Sequence, residues 1–146
     1  MSKKVQTSGE DYPDAAEKHS TDARILLTGN RPDGAAYLSG YAVECMLKTL
    51  VQVEKGHNRL VWGHNLNDLS WDALSLAKLA GGRTARYFTN SALTTLRYDN
   101  PPGGWKEYLR YYPAGTIPQP TAEKWVEEAE RLYFEIIGEL KKDGEI

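Results

Sequence analysis

The chain has 146 residues, enough for one domain with a real apolar core, and its 18 basic and 20 acidic side chains leave a formal charge of −2. That balance provides no global field to gather nucleic acid, so any polyanion contact must come from a local patch. No run approaches 18 uninterrupted apolar residues, which argues against a membrane-crossing helix, and the single cysteine, Cys45, excludes a disulfide within the chain.

Residues 1–10 are small and polar, lack the apolar run of a signal peptide, and are expected to form a flexible tail on a soluble, cytoplasmic protein. Asp11 then offers an N-cap, with Pro13 in the first turn and Asp14 and Glu17 suited to the positive end of a helix dipole. Tyr12, Ala16, His19, Ala23 and Leu26 recur at helical spacing, and Gly29 suits a left-handed C-cap. Pro32 and Asp33 open the next helix so soon that the two must be antiparallel neighbours.

This second helix is apolar on most sides, through Ala35, Leu38, Ala42, Cys45, Thr49 and Val53, widened by Ala36, Val43, Leu47 and Leu50. One narrow stripe remains, Tyr37, Tyr41, Glu44, Lys48 and Gln52, in which Glu44 and Lys48 form an i,i+4 pair of favourable polarity. Gly40 costs a mid-helix position about 1 kcal/mol against Ala, so another helix is expected to approach closely there. This is the central helix of a bundle, and a surface on which a second subunit can sit.

Beyond the loop HNRLVWGH, Asn65 caps a third helix through Leu66, Leu69, Ala73, Leu76 and Leu79, stopped by Gly81 and Gly82. Residues 83–96 are a weaker helix, diluted by threonines. Residues 97–120 hold five prolines and three glycines and read as loop, with one helical turn over 105–111 and enough aromatics to pack on the bundle. The last helix carries one broad stripe, Ala122, Trp125, Val126, Ala129, Leu132, Tyr133, Ile136, Ile137 and Leu140. The expected fold is therefore all-α, a four- to five-helix up-and-down bundle over 11–142 with an aromatic- and proline-rich loop before the last helix and a short tail at 143–146.

The run GAAYLSGYAVECMLK followed by GHNLNDL resembles the second helix and turn of HEPN (higher eukaryotes and prokaryotes nucleotide-binding) domains, and EKHSTDARILLTGNRPDG resembles their first helix and turn. The resemblance covers roughly residues 12–70 and fades beyond. It implies a homodimer of the toxin–antitoxin or defence kind, acting on RNA or binding nucleotides, often restrained by a small nucleotidyltransferase encoded beside it. Many members are metal-independent ribonucleases marked by an Arg with a His a few residues on, which points to Arg59 and His64 as the catalytic pair. An imidazole exchanges protons near neutral pH, and a guanidinium holds phosphate and stabilises transition-state charge. The pair departs from the family pattern: it stands in the loop after the second helix, and Leu60 follows the arginine. Two readings of His64 therefore stay open, catalysis and a structural role at the start of the third helix.

Other chemistry is sparse. Three histidines and one cysteine are too few and scattered for a metal cage, no cofactor is implied, and no phosphate-cradling glycine loop follows a strand. His19, on the apolar stripe of the first helix, reads as an interior or interface histidine. Arg83, Arg86, Arg97 and Arg110, interleaved with Tyr87, Phe88, Tyr98, Trp105, Tyr108, Tyr111 and Tyr112, form the local patch that could grip phosphates while rings stack on bases.

Overall fold

A computed structural model of the chain describes residues 9–56, 60–79, 81–98 and 103–146. It is an all-α bundle, with no strand among the described residues. Helix α1 spans Tyr12–Thr28, α2 Pro32–Lys55, α3 Leu66–Ala77, α4 Thr95–Tyr98 and α5 Gln119–Tyr133. A π-helical segment, Phe134–Gly138, and the short α6, Glu139–Lys142, continue α5.

Helix α2 is the axis. It packs against α1, α3 and α5, and from Ala42 to Val53 every residue is buried. Pairings of Leu26 with Gly34, His19 with Tyr41 and Lys48 with Tyr12 run in opposite senses along α1 and α2, so the two are antiparallel. Arg24 to Glu130 and Glu17 to Lys141 show the same for α1 and the last helix. The apolar stripe expected on α5 is the one that enters the core: Trp125, Leu132, Ile136, Ile137 and Leu140 are fully buried. The π segment falls within this stripe, where the widened turn lets adjacent Ile136 and Ile137 both point inward while Phe134 stays exposed.

Local chemistry explains most boundaries. Asp11 caps α1 by accepting from the Asp14 amide, and Asn65 caps α3 from the Asp68 amide. At the end of α1 the left-handed residue is Asn30, at φ 59°, rather than Gly29, whose φ is −84°. Asparagine tolerates that region, and the Asn30 and Arg31 amides close the turn on the Leu27 and Leu26 carbonyls.

Two further expectations are corrected. Residues 83–96 are not a helix but turns, a 3₁₀ turn at Asn90–Ala92 and the start of α4. The carboxylate of Glu128, buried on α5, accepts the Thr94, Thr95 and Leu96 amides and so caps the start of α4 from across the bundle. Burial raises the Glu128 pKa above the usual range, against the lowering effect of those amides. At Gly40, too, the nearest group is not a second helix. The Trp105 indole lies against it, and a Cβ there would stand 2.0 Å from Nε1. Trp105 reaches this seat because its amide bonds to the Leu96 carbonyl and its indole N–H donates to the Tyr37 carbonyl at 2.9 Å. The aromatic loop is thus built into the bundle, and its one helical turn is a 3₁₀ helix, Glu107–Tyr111. Asp33, at the start of α2, pins the far end of the same loop by accepting the Gly115 and Ile117 amides at 2.7 and 2.8 Å.

Candidate functional site

The loop entering α3 carries His64 against the middle of α2. Its Nδ1 lies 2.8 Å from a carboxylate oxygen of Glu44, and the other Glu44 oxygen lies 3.3 Å from Lys48 Nζ. The His64 side chain is 50% exposed, while those of Glu44 and Lys48 are 6% and 8% exposed. A carboxylate accepts only, so Nδ1 carries the hydrogen and Nε2 is the ring nitrogen left to exchange a proton. The loop is held from a second side: the Tyr12 hydroxyl accepts the Val61 amide at 3.2 Å and reaches the Val61 carbonyl at 3.4 Å. Lys48 in turn sits 5.5 Å from the centre of the Tyr12 ring.

These groups border a cleft of about 420 Å³, shared with His19, Tyr41, Cys45 and Lys18. Tyr41 is its hub. His19 packs on one side at 5.8 Å between ring centres, His64 on another at 6.3 Å, and Trp105 edge-on at 5.0 Å. Burial, then the hydrogen bond with Tyr37, pushes the Tyr41 phenol well above its ordinary range, so it stays protonated. Burial also pushes the Cys45 thiol up to about 12, which leaves it inert as a nucleophile. His19 is half-buried, and desolvation followed by the nearby Lys18 lowers its pKa, with Asp22 opposing.

Arg59, the guanidinium expected to work with His64, lies outside the described residues, as does His57. Of the four arginines read as phosphate ligands, Arg110 alone contacts the hub, with its guanidinium 3.4 Å from both the Tyr37 and Tyr41 hydroxyls. Arg83 bonds to the Val53 carbonyl and faces Glu145 at 3.4 Å; Arg86 bonds to Tyr87 and Asp143. Arg97 bonds to Asn67 at 2.7 Å and stacks on Tyr98. The aromatics of this region divide likewise: Tyr87, Phe88 and Trp105 are core, whereas Tyr98, Tyr108, Tyr111 and Tyr112 are exposed. Among the described residues no cluster of three or more His, Cys, Asp or Glu side chains could hold a metal ion, and no helix is long and apolar enough to cross a membrane.

The sequence suggested Glu44 and Lys48 only as an i,i+4 pair on the narrow stripe of α2, and His19 as an interior or interface histidine. The available signal was the line Tyr37, Tyr41, Glu44, Lys48: a polar stripe on a helix otherwise apolar all round needs a partner, and here the partner is the His64 loop. No family model, curated protein or solved structure matches the chain.

Proposed function

We propose that this chain is a HEPN-type prokaryotic protein that cleaves RNA without a metal, in the cytoplasm, as a toxin or defence factor. The observation that carries the reading is the buried Glu44 carboxylate holding Nδ1 of a half-exposed imidazole beside a cleft. A fixed ring with one committed nitrogen and one available nitrogen is the arrangement general acid–base chemistry requires. His64 moves the proton, Arg59 holds the phosphate and stabilises its developing charge, and Arg110, beside Tyr41, contributes a second cation. The resemblance adds a homodimer and, as restraining partner, a small nucleotidyltransferase. In this reading Arg83, Arg86 and Arg97 guide the RNA at a distance from the cut.

A second reading, a non-catalytic dimerisation or ligand-binding adaptor, has its own support. Arg83 and Arg86 already face carboxylates of the same chain, and the Glu44–Lys48 pair with the Tyr12–Val61 clamp would serve equally well to brace the loop.

Incubation of single-stranded RNA with the protein in excess chelator separates the two. The ribonuclease cuts, and His64→Gln slows cutting by roughly 10²–10⁴-fold, the usual worth of a positioned acid or base, while the melting temperature moves little because the ring is half-exposed. An adaptor leaves the RNA intact.

A further inference from the structure

We infer that His19 is the second proton-transfer residue of this site, so that one protomer carries both the base and the acid for cutting single-stranded RNA at a ribose 2′-hydroxyl. The inference rests on the ribonuclease reading of His64. Within that reading a lone imidazole leaves half the chemistry unassigned, and pairing two sites across a dimer is one way to supply the rest. The fold offers a nearer one. His19, from α1, and His64, from the loop before α3, border the same cleft and flank the same Tyr41 ring, at 5.8 and 6.3 Å. Lys18 and Lys48 border it as well, the latter held by Glu44 at 3.3 Å, and both add positive charge to the lining.

The surroundings divide the roles. His19 faces Lys18 and Asp22 on its own helix, and Tyr41, Glu44 and Lys48 across the cleft, with Glu10, Asp11 and Asp14 where the chain enters α1. The lowered pKa of His19 keeps it neutral near pH 7, with a lone pair free to accept a proton. It therefore takes the 2′-hydroxyl proton as O2′ attacks phosphorus. The bond from phosphorus to the 5′-oxygen breaks, and that oxygen takes the proton His64 delivers from Nε2. The products are a 2′,3′-cyclic phosphate and a free 5′-hydroxyl; one proton enters the protein and one leaves, with no oxidant, reductant or metal required. The strand must be single, because the in-line approach of O2′ is not available in a regular A-form duplex.

The test measures initial rates in chelator on two substrates, the dinucleotide uridylyl-adenosine and uridine 3′-(4-nitrophenyl phosphate), whose leaving group departs without a proton. Wild type is compared with His19→Gln, His19→Asn, His64→Gln, and an equimolar mixture of His19→Gln with His64→Gln. On the dinucleotide each single variant is expected to lose roughly 10²–10⁴-fold. On the nitrophenyl substrate His64→Gln recovers most of its rate and both His19 variants stay slow, while on the dinucleotide the mixture is no faster than its components. A purely structural role for His19 would not produce this dependence on the leaving group. If the His19 variants cut the dinucleotide within about threefold of wild type while His64→Gln does not, the inference falls and the ribonuclease reading stands. Recovery of activity in the mixture would place the pair across two subunits and overturn the one-protomer claim. Unfolding of both His19 variants also overturns it, and a wild-type protein that cuts neither substrate overturns both readings.

Discussion

Replacing Gly40 with alanine tests how the aromatic loop is built into the bundle. Helix propensity alone favours the change by about 1 kcal/mol. The added methyl would stand 2.0 Å from Trp105 Nε1 and 2.1 Å from Cδ1, far inside contact distance, so the indole must move. Trp105 is only 4% exposed, gives its N–H to the Tyr37 carbonyl and packs edge-on to Tyr41. Displacing it combines an overpacking penalty of about 1–3 kcal/mol with the loss of a partly buried hydrogen bond worth about 1 kcal/mol. After the propensity gain, the net loss is about 1–3 kcal/mol, or roughly 2–12 °C in melting temperature for a chain of this size. Gly34→Ala is the control, since its methyl would meet only the flexible end of Leu26, at 3.2 Å. Urea unfolding followed by circular dichroism and tryptophan fluorescence measures both. Equal stability of the two variants, or a gain in Gly40→Ala, would refute the Trp105 seat.

Asp33→Ala removes the acceptor for the Gly115 and Ile117 amides and is expected to cost about 1–3 kcal/mol in urea unfolding, with faster proteolysis near residues 113–118. Cys45, at about 12, should resist iodoacetamide at pH 8 in the folded protein and react readily in urea, as mass spectrometry will show. His19 has a folded pKa below its unfolded one, so the unfolded chain binds more protons just below pH 6.5; its contribution to stability is full above that pH and is lost as pH falls toward the lowered value. His19→Gln should therefore flatten the stability profile between pH 7 and pH 5 in thermal melts. Glu44→Gln leaves Lys48 buried without a carboxylate and His64 without its charged acceptor, so RNA cutting and melting temperature should fall together, by about 3–5 kcal/mol in stability, the cost of stranding a buried charge.

The helices were legible because their signals are local. Asp11 and Asn65 cap where a short acceptor precedes an apolar run, Pro32 opens α2 where its fixed φ fits, and the stripe from Ala122 to Leu140 enters the core. Residues 83–96 were misread because the groups that hold them, Glu54 and Asp143 at one end and the Glu128 carboxylate at the other, come from about thirty or more residues away, and no periodicity registers such partners. Gly40 announced a close approach correctly but not which group makes it; an indole from a distant loop fills the space as well as a helix. His64 was visible as a candidate, but its geometry depended on Glu44, whose charge and spacing suggest a solvated face. Burial reversed that meaning, because an acid and a base taken out of water together must be satisfied by each other and by a third group.

The most direct test of the central claim is the fate, in excess chelator, of a DNA oligonucleotide carrying one ribose beside its all-deoxy counterpart. The account predicts a single cut on the 3′ side of the ribose, leaving a 2′,3′-cyclic phosphate, and an intact all-deoxy strand. Equal cutting of both strands, or of neither, would contradict it.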